Sequence, residues 1–350
     1  LLLTFKVKHG RDFSQELAKA RKIAEFAVRT RSRSSRDVKH LGLKSAIANQ
    51  ILRKYSCDRK AKKVNKIVLT VPGQSIRTDK AQRTVKVSCL KLELQYRFRN
   101  DFEKINQIEL DGQYAYIIVS VPELKPIETG QFIGVDRNTT GHCVVVANPQ
   151  TGKVWKLGKS AEHVHKKYKT IRRTLQKKGK FRKLKTTKRR ETRKIRDLNH
   201  KISRKIVQIA TANGCGIKME DLEGIRENRK HARSFQYSLN SWSFYQLQQM
   251  IEYKARLQRI PVAYVDPAHT SQKCSRCGHI GDRNGKEFKC PSCGHVEHAD
   301  TNASFNISTA LAIQMGATRL HADRDACKGN TDTPQGATPM NDGDPRTPWL

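Results

Sequence analysis

The chain is short of acid. Its 350 residues hold 32 Asp and Glu against 69 Lys and Arg, a formal net charge of +37. A field of one sign draws in polyanions, so nucleic acid is the expected partner, with a membrane surface as the weaker alternative. Long apolar runs are also missing: none approaches the ~18–20 residues of a spanning helix. The start, LLLTFKVKHG, has neither the charged n-region of a signal peptide nor an initiator Met, so a truncated N-terminus is expected. A disulfide framework is absent as well. Five of the nine cysteines, Cys57, Cys89, Cys143, Cys215 and Cys327, are scattered singly, which suits a reducing, intracellular setting. Aromatics make up 7% of the chain, and core packing is the commoner fate of such rings.

The other four cysteines are arranged. Cys274 and Cys277, then Cys290 and Cys293, form two Cys-x-x-Cys pairs, each followed at once by Gly278 or Gly294. Glycine lets the backbone turn tightly, so two such knuckles present four soft thiolates as a closed tetrahedron, the geometry of a structural zinc. Two disulfides or four unrelated thiols are the plainer alternative.

Leu3, Phe5 and Val7 alternate as a strand does within residues 1–9, and helical spacing runs from about Asp12 to Cys57. Strand patterns return at Lys66–Val71, Thr84–Phe98, Gln107–Leu110 and Tyr114–Val121. The simplest organisation is a small β-domain carrying a helical insert. Tyr96, Arg97, Phe98 and Arg99 suit either a nucleic-acid backbone contact or a solvated sheet face. After a linker at 122–130 comes a buried strand, Phe132–Val135, ending in Asp136, then a strand Cys143–Ala147 and a hairpin turn at Asn148–Gly152.

Residues 166–205 hold 20 Lys or Arg, opposed only by Glu191 and Asp197. Apolar residues at helical spacing suggest two amphipathic helices over 164–212, joined near Gly179. A charge run is usually a solvated face, but this one would repel itself without a polyanion, which favours phosphate contact. A short strand, Gly216–Met219, ends in Glu220, with Asp221 and Glu223 as rivals beside it. A helical pattern at Phe244–Leu257 and a strand at Val262–Val265 lead into the cysteine segment. Tyr237, Trp242, Phe244 and Tyr245 are candidates for base stacking or for core. From about Ala317 onward apolar residues thin out and the tail reads as disordered.

Three acids then stand out: Asp136 and Glu220 at strand ends and Asp300 at a helix start. Taken singly, an Asp there commonly starts a turn or caps a helix. A sheet with helical crossovers can nevertheless bring strand ends and a helix N-terminus together. Converged carboxylates bind hard divalent cations, and two ions ~3.5–4 Å apart activate water and stabilise the leaving oxygen of a phosphodiester. On so basic a chain that chemistry points to a nuclease.

The chain resembles TnpB, the OrfB family of insertion-sequence transposons, relatives of the type V CRISPR effector nucleases. The resemblance rests on GVDRN at 134–138, MEDLEGIR at 219–226, DPAHTSQKCSRCG at 266–278, CPSCG at 290–294 and ADTNASFNI at 299–307. It implies an α+β multidomain protein: a wedge β-domain at 1–9 and 64–125, with a helical recognition insert at 10–63. An RNase H-like (RuvC) α/β domain follows at 131–266 and 297–316, interrupted by a zinc ribbon at 267–296, with a disordered tail at 317–350. It further implies an RNA-guided, magnesium-dependent DNA endonuclease encoded by a transposon and acting in the cytoplasm at the nucleoid. The partners would be a guide RNA from the transposon end and a double-stranded DNA target. Asp136, Glu220 and Asp300 would hold two Mg²⁺, the four paired cysteines Zn²⁺, and the basic helices the heteroduplex. The family often has Asp-Arg-Asp at the last acid, where this chain has His298-Ala299-Asp300. The alternative from another class is an RNA-guided DNA-binding repressor or accessory protein without cleavage. A transposase proper has no Tyr or Ser nucleophile motif here in its favour.

Overall fold

A computed structural model of the chain describes residues 1–58, 61–98, 101–222, 244–313 and 338–340. The chain divides into two compact units, Leu1–Glu123 with Ala317–Leu350, and Leu124–Gly316.

In the first unit the alternating start becomes β1 (Leu2–Lys8), which turns Leu3 and Phe5 inward. Helices α1 (Ser14–Thr30) and α2 (Ser45–Cys57) follow. They bury Ala20, Ile23, Ala24 and Ala27 on one and Ile47, Ile51 and Leu52 on the other, the three-to-four spacing of an apolar stripe. The chain returns as β2 (Leu69–Pro72), β3 (Ile76–Asp79), β4 (Thr84–Val87), β5 (Leu92–Gln95), β6 (Lys104–Leu110) and β7 (Tyr114–Ser120). One sheet runs β1-β7-β6-β2, and β3-β4-β5 form a separate meander. The stretch 84–98, read as one strand, is broken by a 3-10 turn at Ser88–Leu90 and by Lys91 at φ +47°. From the tail 317–350, Thr338–Met340 pairs parallel to β1; its remaining residues, Cys327 among them, lie outside the described ones.

Neither reading of Tyr96 and Phe98 survives. Phe98 stacks on Phe5 with ring centroids 3.8 Å apart, Tyr96 stacks on Phe98 at 4.2 Å, and both are buried. The apolar face of β1 needed a cover, and burying these rings supplies it. Arg97 is exposed, and Arg99 lies outside the described residues.

The second unit is built on a mixed sheet of β8 (Phe132–Arg137), β9 (Val144–Ala147), β10 (Val154–Leu157), β11 (Gly216–Glu220) and β12 (Val262–Val265). Its order is β10-β9-β8-β11-β12. The first three strands meander antiparallel, and β11 and β12 run parallel to β8. The basic segment forms α3 (Lys159–Lys177) and α4 (Phe181–Ala212), which turn about Gly179 at φ +61°. Helix α5 (Phe244–Leu257) lies between β11 and β12 in sequence. Side chains alternate across a strand, so Ile133, Val135, Ile217 and Met219 share one face. There they pack with Ile202, Ile206, Ile209, Leu247 and Ile251 of the helices.

Helix α6 (Ala299–Thr309) lies close against β8. A Cβ on Gly134 would fall 1.9 Å from the Ser304 carbonyl oxygen and 2.6 Å from the Ser308 nitrogen, so only glycine admits this approach. Ser304 Oγ donates to the Val145 and Asp300 carbonyls. Among the described residues no helix is long and apolar enough to cross a membrane.

Candidate metal centres

The cysteine segment folds as three short antiparallel strands, β13 (Asp282–Asn284), β14 (Glu287–Lys289) and β15 (Val296–His298), around the fully buried Phe288. Its two knuckles repeat one geometry. Gly278 and Gly294 take φ of +77° and +69° and donate their N–H to the Cys274 and Cys290 carbonyls. Cys274 and Cys290 N–H in turn donate to the His279 and His295 carbonyls. Positive φ is what the glycines were needed for. All four Sγ atoms lie within 4.8 Å of one another, with 3.6 Å between Cys274 and Cys293 and 3.5 Å between Cys277 and Cys290. Four ligands at ~2.3 Å on a tetrahedron stand ~3.8 Å apart, so the cluster suits a metal such as zinc. A disulfide would need ~2.05 Å, and the four remain free thiols. Cys57, Cys89, Cys143 and Cys215 are also unpaired.

The three acids meet at one edge of the mixed sheet. Val135 and Met219 are register partners on parallel strands, so Asp136 and Glu220 stand one step further on, side by side, facing α6 rather than the apolar core. Asp300, in the first turn of α6, comes to the same place because Gly134 lets the helix down onto β8. Asp300 does not cap the helix, as the commoner reading would have it. The cap is His298, whose Nδ1 accepts the Asp300 N–H, and the Asp300 carboxylate is freed for other work.

Burial and the nearby charges of Glu220 and Asp300 push the Asp136 carboxyl up to about 7. Burial also raises Glu220, against Thr270 and the Arg137 and Arg283 charges. Both shifts mark carboxylates that want a cation.

Around the acids stand residues that sequence reasoning did not single out. Asn138 Nδ2 donates to Asp136 Oδ2 at 2.8 Å, and Thr270 Oγ1 donates to Glu220 Oε1 at 2.5 Å. Buried Arg137 donates to the Glu220 carbonyl and to Gln248 Oε1. Lys286, beside the turn between β13 and β14, bonds Asp300 Oδ1 and Oδ2 at 2.8 and 2.6 Å. Arg283 Nη2 stands 3.9 Å from Asp300. Asn302 and Asn306 of α6 hold the segment entering the ribbon through Ser275 N–H and the Thr270 and Lys273 carbonyls. The signal for Arg137, Asn138, Thr270, Asn302 and Asn306 was their place inside GVDRN, DPAHTSQ and ADTNASFNI, whereas Gln248, Arg283 and Lys286 lie outside these motifs.

The donor set fits a hard divalent ion: acid oxygens with an amide oxygen beside them, and a lysine ammonium already standing where positive charge is wanted. Among the described residues only the cysteine group has every ligand atom within 4.8 Å, so the carboxylates bound a wider space than the sulfurs do. Of the rivals, Asp221 follows β11, and Glu223 lies outside the described residues.

On α3 and α4 the acids are spent internally. Glu191 is buried between the helices with His165 and Arg172, and Asp197 pairs with Lys201 at 2.9 Å. Most of the lysines and arginines of the two helices are exposed. Tyr245 is 61% exposed, whereas Tyr237 and Trp242 lie outside the described residues.

Residues 244–307 match the family model of the Cas12f1-like TNB domain. A TnpB-like protein of Methanocaldococcus jannaschii is 40% identical over 160 residues, which is 44% of this chain and 57% of that one. The CRISPR-associated endodeoxyribonuclease Cas12f1 of Sulfoacidibacillus thermotolerans is 46% identical over 114 residues, 31% of this chain and 26% of its own. The chain therefore spans only part of the length of these relatives. In fold it is similar to Cas12f1 from a complex with guide RNA and target DNA, at a TM-score of 0.58 and 16% identity over 85% of this chain and 82% of the other. These matches, beside the acids and the paired cysteines, make the chain similar to TnpB-like proteins and to the related type V effector Cas12f1.

Proposed function

We propose that the chain is an RNA-guided, metal-dependent DNA endonuclease of transposon origin, with an RNase H-like (RuvC-type) centre formed by Asp136, Glu220 and Asp300. The observation that carries this reading is the meeting of three buried or near-buried carboxylates from remote segments, one of them raised to about 7 by burial and, after that, by the other two. An arrangement that costly is kept where it binds something. Two Mg²⁺ ions, when bound, would supply Lewis-acid activation of water and stabilisation of the leaving oxygen. The chain's own part is to hold the ligands. Asn138 and Thr270 fix the Asp136 and Glu220 carboxylates, and Arg137 ties the end of β11 to α5. The cysteines hold structural Zn²⁺ in a ribbon that braces the start of α6. The basic faces of α3 and α4 track the phosphates of a guide–target duplex.

The test is co-purification of RNA followed by cleavage of a matching plasmid with Mg²⁺. Wild type should cut, and Asp136→Ala should bind the target without cutting. Binding without cutting by both would favour the repressor reading, and a chain that carries no RNA would end the guided one.

A further inference from the structure

The ribbon does more at the acid cluster than brace a helix. Gly285, at φ +60°, turns the β13–β14 hairpin and sets Lys286 next to α6, where its carbonyl accepts the Ala299 N–H at 2.8 Å. From that anchored backbone the side chain reaches both oxygens of Asp300, at 2.8 and 2.6 Å, and Asn138 Oδ1 at 3.3 Å. Asn138 is the residue that donates to Asp136. The ammonium thus touches one acid directly and a second through one amide. The Asp300 side chain is 3% exposed and that of Lys286 37%, so the lysine enters from solvent over a buried carboxylate.

A divalent ion at Asp300 needs the oxygens that Lys286 holds. Magnesium takes its ligands at ~2.0–2.1 Å with near-octahedral geometry, which leaves no room for an ammonium on the same pair. The lysine has four rotatable carbons and can swing to water without moving the hairpin.

We propose that Lys286 is a tethered cation that stands in for a divalent ion at Asp300 and has to withdraw before the metal binds, so that the zinc-ribbon hairpin sets the metal affinity of the acid cluster. This rests on the metal-binding reading of Asp136, Glu220 and Asp300. A site closed by its own lysine ~90% of the time binds metal about tenfold more weakly than the same site left open.

The experiment uses the full chain with its zinc and follows Mn²⁺ binding by the electron paramagnetic resonance of the free ion. Lys286→Met should bind Mn²⁺ about tenfold more tightly than wild type, and Lys286→Arg within about twofold of it. Lys289→Met removes the same charge from an exposed position on the same hairpin and should leave affinity unchanged. A purely through-space effect would move both lysine variants alike and fade in high salt. Zinc content of one ion per chain certifies the fold of each variant, and Lys286→Gln replaces the Met variant if that one loses zinc. Asp300→Asn should abolish the binding. Unchanged or weaker binding by Lys286→Met, with wild type binding Mn²⁺, overturns the tethered cation alone. If neither wild type nor Lys286→Met binds the ion, the metal-site reading fails and takes the proposal with it.

Discussion

Removing the charge of Asp136 should stabilise the magnesium-free protein while destroying any metal-dependent activity. Asp136→Asn keeps the side chain's shape and an oxygen to accept from Asn138. It removes one negative charge from a buried group that faces Glu220 on β11 and Asp300 on α6, with Lys286 and Arg137 as the nearby cations. Burial and the two acids raise the Asp136 carboxyl from 3.8 to about 7 in the folded chain. Between those values the folded protein keeps a proton that the unfolded chain has lost, so stability falls as pH rises through the window and levels off above it. The slope is ~1.4 kcal/mol per pH unit, and the whole loss is on the order of 4 kcal/mol, an upper figure because the proton is shared with Glu220. Asn has no such loss. At pH 8, without magnesium and with zinc retained, Asp136→Asn should therefore melt several degrees above wild type at roughly 2–4 °C per kcal/mol. The gap should shrink by about 1–1.5 kcal/mol at pH 6. Urea titrations at both pH values give the free energies, and added Mg²⁺ should stabilise wild type only. A variant no more stable than wild type at pH 8, or a gap that ignores pH, would refute the claim that the three carboxylates crowd one another.

Three further outcomes follow from the same geometry. Gly134→Ala drives a methyl into the Ser304 carbonyl of α6, with backbone on both sides and nowhere to relax; a loss of at least about 3 kcal/mol is expected on denaturant titration, and a neutral result would mean that α6 does not lie against β8. Cys277→Ser should drop zinc below one per chain by native mass spectrometry and expose the amides of β13–β15 to hydrogen exchange while β8 and β11 stay protected; retained zinc would dismiss the four-cysteine site. Neutralising Lys166, Lys169 and Arg173, which sit one turn apart on α3, should flatten the slope of log affinity for RNA or DNA against log salt by roughly two to three; an unchanged slope would place the phosphates elsewhere.

Strong local patterns were legible. The strands bearing Asp136 and Glu220, the amphipathic pair over 164–212 and the two knuckles all came from periodicity or spacing, because each answers to a constraint carried by nearby residues. Less was legible where the constraint came from far away. The strand Val154–Leu157 gave little alternation of its own and exists because β9 offers it an edge. The run 84–98 looked like one strand because its apolar spacing continues across the break at Ser88–Leu90, and Lys91 carries no residue-type signal for its positive φ. Tyr96 and Phe98 could not be assigned to the core without knowing that Phe5 needed a cover.

The residues by themselves determined the charge, which is the ground for proposing a polyanionic partner, and the sulfur cluster, whose ligands lie within 20 positions of one another. They also supplied the three acids as candidates. Only the tertiary structure decided that the acids share one edge, because that depends on parallel register between β8 and β11 and on the missing Cβ at Gly134 that lets α6 approach. It alone decided that Lys286 of the ribbon faces Asp300, since a hairpin's turn fixes where a side chain is aimed while its sequence says only that the side chain is charged.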